Sequence, residues 1–263
     1  MRKIFLFVAL LFSVSAFAQK ADLNDPTNAE KGKQLIQQVI EARGGASFLG
    51  YKTIQSTGHW TPFEQGLSTV PIPFLDYIIL PDKERTEFGK ARKKKDRKIQ
   101  VNVGNGGWYY DGEAETLKEQ DEKKLREFQE GLDTDIDRIL RGGWQQKGVE
   151  VSFYGREETR PGERADVVTI KFKSEFTVYL MIDRYTHLPM TLSYEKPGGE
   201  KGTEKYEYRY NQYVAYDGVK FPNIVDLYRD RIQISRVNYE SIKLNVQIPE
   251  TIFVKPPSAK EVK

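Results

Sequence analysis

Hydrophobic residues recur along this chain at two different periods. After a polar leader, Lys20 to Pro26, the residues Leu35, Ile36, Val39 and Ile40 return at helical spacing, behind a Thr27-x-x-Glu30 capping box and ahead of Gly44 and Gly45. That combination predicts one amphipathic helix over about residues 28–43, with the glycines as its C-terminal stop. From Tyr51 to Tyr110 β-branched and aromatic residues alternate with Gly, Pro, Asn and Asp clusters, the pattern of short strands. Strands are predicted at Thr53 to Trp60, Asp76 to Leu80, Arg85 to Phe88, Lys98 to Val103 and Trp108 to Tyr110. Val70 to Phe74, VPIPF, carries two prolines and reads as an edge or a loop, because proline cannot donate to a sheet ladder.

Helical spacing returns between Ala114 and Leu140, where Leu117, Leu125, Phe128 and Leu132 make a thin apolar stripe and Ile136, Ile139 and Leu140 follow Thr134, read as a cap. Two short helices therefore interrupt the strands. Strands resume at about 147–155, 166–173, 176–182, 188–194, 204–214, 219–228, 231–239 and 241–246, with turn signals at Asp183, Pro197-Gly198-Gly199 and Asp217-Gly218. The tail, residues 255–263, should fray.

The first 18 residues stand apart from this pattern. Arg2 and Lys3 precede an apolar run from Ile4 to Phe12, and Ala16-Phe17-Ala18 is a small-x-small cleavage site, so a signal peptide ending near Ala18/Gln19 is expected. The apolar run is shorter than the roughly 20 residues of a spanning helix, the alternative reading. An exported, periplasmic chain follows as the expectation. There are no cysteines, so neither disulfides nor N-terminal acylation is available, and stability must come from burial. Two of the 41 basic residues and none of the 38 acidic ones lie in these 18 residues, which leaves a net charge of +1 and no pull toward nucleic acid. The remaining length suits one all-β unit, and the 15 tyrosines suit strands with one wet ring edge.

Little reactive chemistry is legible. The two histidines, His59 and His187, fall on different predicted strands with no cysteine or histidine partner nearby, so no metal and no cofactor is expected. HExxH, GxSxG and P-loop patterns are missing, and Gly104, Gly106 and Gly107 lead into a strand rather than a helix. None of the 38 carboxylates is singled out as a glycosidase-like pair, although such a pair is defined in space and a hydrolase stays open as an alternative. The sharpest charge feature is KARKKKDRK, Lys90 to Lys98; Lys90, Arg92, Lys93, Lys94 and Lys95 would meet anionic headgroups at a membrane surface, or simply form a solvated hairpin tip.

Several segments carry a resemblance. YIILPDKERTE (Tyr77 to Glu87), GGWYYDG (Gly106 to Gly112), MIDRYTHLPM (Met181 to Met190) and YDGVKFP (Tyr216 to Pro222), in an order of helix, strands, two-helix insertion and strands, resemble a divergent branch of the LolA-like superfamily of outer-membrane lipoprotein-sorting proteins. The resemblance spans about Thr27 to Val254 and implies a mainly β fold: a single strongly curved antiparallel sheet, an incomplete barrel, with an N-terminal helix and a two-helix lid. It also implies a cavity for the acyl chains of a lipid or lipoprotein, no catalysis, a monomer, and transient membrane contact. Where archetypal members hold the lid with an arginine on an early strand, Thr53 to Trp60 has none, so energy-coupled transfer is not implied.

Strands such as Tyr77 to Leu80 and Val225 to Tyr228 are apolar on consecutive residues, so both faces need cover. A solid core and a lidded cavity would both produce that pattern. The residues expected to face such a cavity are Trp60, Tyr77, Ile79, Phe88, Trp108 and Tyr110 on the first strands, with Leu125 and Phe128 on the lid. Alternation leaves open which of the two sets points inward. An envelope module docking a protein partner with the same fold is the alternative function.

Overall fold

The computed structural model describes residues 26–89, 94–160, 163–173, 176–198 and 202–262. The signal-peptide segment and Lys90, Arg92 and Lys93 of the basic run lie outside them; Lys94 opens a short 3-10 turn, Lys94–Asp96, on which Lys95 is exposed.

Helix α1 (Pro26–Arg43) buries the expected stripe Leu35, Ile36, Val39 and Ile40, together with Gly32 and Arg43. A Cβ at Gly32 would lie 2.8 Å from the Ser152 carbonyl carbon, so this glycine lets the helix settle directly on a strand backbone. Gly44 (φ 129°) and Gly45 (φ 55°) turn the chain out of the helix, the latter's N–H donating to the Ile40 carbonyl. A second short helix, α2 (Ala46–Gly50), follows and places Phe48 in the core.

Fourteen strands then build one antiparallel sheet: β1 (Thr53–Glu64), β2 (Leu67–Ser68), β3 (Ile72–Ile79), β4 (Lys83–Phe88), β5 (Lys98–Val103), β6 (Gly106–Asp111), β7 (Thr116–Glu119), β8 (Glu150–Arg160), β9 (Glu163–Lys171), β10 (Thr177–Asp183), β11 (Pro189–Pro197), β12 (Thr203–Tyr216), β13 (Val219–Arg229) and β14 (Ile232–Leu244). Their order is β7-β6-β5-β4-β3-β1-β14-β13-β12-β11-β10-β9-β8, with β2 a short flap on β1, so the sheet ends at β7 and β8 and stays open. Between β7 and β8 lie α3 (Glu122–Thr134) and α4 (Ile136–Leu140).

Four expectations change. VPIPF enters the central strand β3; Pro73 is its second residue, before pairing with β4 begins at Phe74, so the missing N–H leaves no gap in that ladder. Leu117 belongs to β7, opposite Tyr110, because the lid helix starts only at Asp121, whose carboxylate accepts the Lys124 N–H at 2.8 Å. Asp135 rather than Thr134 caps α4, accepting the Arg138 N–H at 2.7 Å. The last two predicted strands are one, β14, in which Glu240 is a bulge: Thr57 faces Ser241 and Gly58 faces Tyr239.

The registers assign every side chain to a face. The inner face carries the main core, built from Val168, Ile170, Leu180, Leu192 and Tyr210 of β9–β12 under α1, α2 and α4. A second core lies on the outer face of the other half: Ile99, Val101, Trp108 and Tyr110, covered by Ile248, Phe253 and Val262. Within residues 255–263, where fraying was expected, Val262 is buried in this core, while residues 255–261 stay partly or fully exposed. Trp108 Nε1–H donates to the Phe253 carbonyl at 2.8 Å, and Arg85 donates to the Ile252 carbonyl at 2.6 Å, anchoring the segment that leads into the tail.

Candidate functional site, a lidded hollow on the inner face

Curvature can be read from two adjacent residues of α3. Gln129 Nε2 donates to the Gly104 carbonyl at the β5–β6 turn at 2.6 Å, and Glu130 Oε2 takes Lys196 Nζ of β11 at 2.9 Å. From β5 to β11 the sheet has seven strand spacings, about 34 Å if flat, at about 4.8 Å each. Neighbouring Cα atoms about 3.8 Å apart cannot reach both rims of a flat sheet, so the sheet must curl until its rims approach. Helix α3 lies across that mouth.

It is a thin lid. Thr134 is the only buried residue of α3; Leu125, Phe128, Gln129 and Leu132 form its less exposed side and each stays partly accessible. Its neighbour α4 is firmly held instead. Ile136, Ile139 and Leu140 join the main core, and Arg43, 1% exposed, meets the Asp137 carboxylate at 2.8 Å. Tyr51 donates its hydroxyl to the same carboxylate at 2.7 Å, while Arg141 donates to the carbonyls of Phe48 and Tyr51.

Beneath the lid the inner face is lined by Asp76 and Ile78 of β3, Glu84 and Thr86 of β4, Val237 and Tyr239 of β14, Val225 of β13, and Tyr208 and Tyr210 of β12. Most of these remain partly accessible although they sit on the middle strands. Asp135, at the joint between α3 and α4, is exposed by area yet deeply surrounded by protein atoms; both hold for a side chain that lines an internal space. Burial pushes the Glu84 carboxyl up to about 8, with Asp76 and Asp135 adding like charge. Asp76 is raised to about 7 by burial, against the pull of the Thr86 hydroxyl at 2.9 Å. Burial and then Asp137 raise Asp135 to about 6. Burial, then the same acids, pushes the Tyr239 phenol up, and Tyr208 and Tyr210 rise mainly by burial.

Two pockets open at the ends of this face. One, about 510 Å³, is lined by Trp60, Ile72, Phe88, Lys98 and Tyr109; the other, about 690 Å³ under the C-terminal end of α3, by Val149, Phe172, Phe176 and Tyr194 together with the charged Glu130, Asp133, Lys147, Lys173 and Lys196. Both volumes fall in the range of about 300–1,000 Å³ typical of small-molecule sites.

The residues expected to face a cavity divide between two places. Trp60 and Phe88 are on the inner face with ring centroids 5.8 Å apart, and Leu125 and Phe128 are on the lid. Tyr77, Ile79, Trp108 and Tyr110 are not: strand parity puts them on the outer face, where the C-terminal segment covers them in a solid core. The inner set on β3 is Ile78 with Asp76, and these acids went unnoticed in the sequence. One signal was present, since Asp76 interrupts the apolar run FLDYII on the same alternation as Phe74 and Ile78. His59 pairs with Glu240 at 3.0 Å, and among the described residues no three His, Cys, Asp or Glu converge to hold a metal.

An open, strongly curved antiparallel sheet with helices on its inner face defines a half-barrel. No family model and no curated protein matches the sequence, but solved structures match the fold. A DUF1329 family protein from Desulfovibrio piger aligns at 11% identity and a TM-score of 0.60 over 86% of this chain and 97% of that one. A LolA superfamily protein from Nitrosomonas europaea aligns at 11% and 0.55 over 85% and 97%. A putative outer membrane lipoprotein-sorting protein domain from Vibrio parahaemolyticus aligns at 12% and 0.56 over 87% and 98%. The chain has a LolA-like fold.

Proposed function

We propose that the protein is a periplasmic, non-enzymatic carrier that holds a lipid, a lipoprotein acyl chain or a related amphiphile in the hollow under α3. The observation that carries this reading is the lid itself. It is pinned by polar contacts to both rims, yet Leu125, Phe128 and Leu132 stay partly accessible over a floor that is also partly accessible. A solid core would bury both surfaces. Each CH₂ moved from water into such a space contributes about 0.8 kcal/mol, so ten contribute about 8 kcal/mol before ordering costs. No reactive group is required for that. The LolA-like fold of the lipoprotein-sorting domain supports the same reading, and the exposed Lys95 is available to an anionic headgroup.

The test is mass spectrometry of lipid carried through purification of the mature chain, together with uptake of a neutral fluorescent hydrophobe. Co-purified amphiphile, or saturable dye uptake that an added lipid displaces, is expected. A chain that carries no lipid, takes up no dye and is recovered instead crosslinked to an envelope protein would sink the carrier reading in favour of a docking module.

A further inference from the structure

We propose that the hollow selects an amphiphile with a cationic polar end, a primary ammonium on an alkyl chain, held by Glu84 with Asp76 and Asp135 around it. The inference rests on the carrier reading and narrows it to a ligand class.

The register sets Asp76 opposite Thr86 and Ile78 opposite Glu84, so Asp76 and Glu84 are diagonal neighbours on the inner face of adjacent strands. Asp135 faces them from the joint of the lid. Two of the three acids are partly satisfied, Asp76 by the Thr86 hydroxyl and Asp135 by the Arg138 N–H. Glu84 has no hydrogen-bond or ion-pair partner among the described residues. A second observation is independent of the acids. Tyr210 is only 9% exposed, lies on the inner face among Tyr208, Asp135 and Asp137, and its hydroxyl has no hydrogen-bond partner among the described residues. Neither oxygen is fully enclosed, so a carboxylate and a phenol open toward one space can receive a ligand that supplies donors.

Charge decides its sign. Arg43, the cation whose field reaches Asp135, is committed to Asp137 at 2.8 Å and to the Lys220 carbonyl. An anionic head placed here would meet three acids, and Arg43 is already paired with Asp137. A metal ion does not fit, because the carboxylates do not converge on one point. An ammonium fits better: it brings one charge and three donors of its own, and needs one close carboxylate with the others contributing field. The apolar stripe of α3 and the Val149, Phe172 and Phe176 wall of the pocket beside Thr134 would take its chain.

Binding should also move protons. With Glu84 near 8 and Asp76 near 7, the empty hollow keeps much of its acid protonated at neutral pH, and an arriving cation draws out the carboxylate. The facing phenols, Tyr208, Tyr210 and Tyr239, are raised and stay neutral, so the acids alone respond.

Displacement of a neutral fluorescent hydrophobe by dodecylammonium, dodecan-1-ol and dodecanoate, all below micellar concentration, tests this on the mature chain. Dodecylammonium is expected to bind about tenfold or more tighter than dodecanoate, with tighter binding at pH 8 than at pH 6 and proton release seen as buffer-dependent heat in calorimetry. Glu84→Gln should bring the ratio to within about threefold, and Asp76→Asn should move it the same way. Dodecanoate binding as tightly as dodecylammonium, or a ratio that Glu84→Gln leaves intact in a folded variant, overturns the inference alone. Displacement by none of the three overturns the carrier reading with it.

Discussion

The buried acids make a prediction about stability that does not depend on any ligand. A carboxyl whose folded pKa lies above its unfolded value binds more protons in the native state, so its contribution is present below the unfolded pKa and is lost as pH rises through the folded one. For Glu84 the window runs from 4.5 to about 8, and for Asp76 from 3.8 to about 7. Replacing Glu84 by Gln keeps the shape and removes the charge. Taken alone the Glu84 displacement is worth at most about 5 kcal/mol, but its field is shared with Asp76 and Asp135 and the side chain keeps some water contact, so about 2 kcal/mol is the expected effect. Glu84→Gln should match the parent at pH 5 in urea melts and exceed it by about 2 kcal/mol at pH 9, or about 4–8 °C in Tm for a chain this long. A binding site that carries such strain gives up stability for function, and the variant should show that exchange. If the two proteins change in parallel from pH 5 to pH 9, or the variant is the weaker at pH 9, Glu84 does not sit in the desolvated acidic space described above.

Three further outcomes test other parts of the molecule. Phe253→Ala, at a residue 5% exposed against Trp108, should cost about 3–5 kcal/mol, whereas Val254→Ala, at 66% exposed, should stay within about 0.5 kcal/mol in the same melts; equal effects would mean that Phe253 does not seal the outer-face core. Gly58→Ala places a Cβ 2.1 Å from the Asn238 carbonyl oxygen across the β1–β14 ladder and should lower stability by about 1–3 kcal/mol or more, read as a lower denaturation midpoint. The double substitution Leu125→Ser and Phe128→Ser should reduce uptake of the neutral hydrophobe severalfold while changing stability by less than about 1 kcal/mol, because neither side chain is buried in the empty protein; a large loss of stability would mean that α3 is core rather than lid.

Local sequence carried a good part of the architecture. The helix of Leu35 to Ile40, its glycine stop and the hairpin turns depend on residues a few positions apart, and those interactions are complete within the segment that makes them. The lid helix was legible too, though its start was not. Leu117 fits the helical stripe by spacing, and only the cap at Asp121 together with pairing to Tyr110 makes it a strand residue. In the same way one bulge at Glu240 joins what read as two strands, since a bulge is a property of the pairing and not of the segment.

The candidate site was harder to see. Alternation sorts Tyr77 and Ile79 from Asp76 and Ile78 without saying which pair faces inward, and the aromatic richness of Trp108 and Tyr110 pointed to the wrong face. What settles the face is a segment more than a hundred residues away, Ile248 to Val262, which lies on the outer face and buries those rings. The acids were hidden for a related reason. Each of Asp76, Glu84 and Asp135 is ordinary among 38 carboxylates, and their meeting requires two neighbouring strands and the joint of a distant lid.

The sequence by itself determined which segments are helix and strand, the absence of cysteine cross-links and the LolA-like order of elements, because these follow from neighbours along the chain. Tertiary structure alone decided which face is inner, that the segment from Ile248 to Phe253 covers the outer one, and that three carboxyls and Tyr210 come together on the inner side under the lid. Curling the sheet until α3 spans β5 to β11 brings together groups that no spacing along the chain relates, and the field among them exists only once water between them has been displaced.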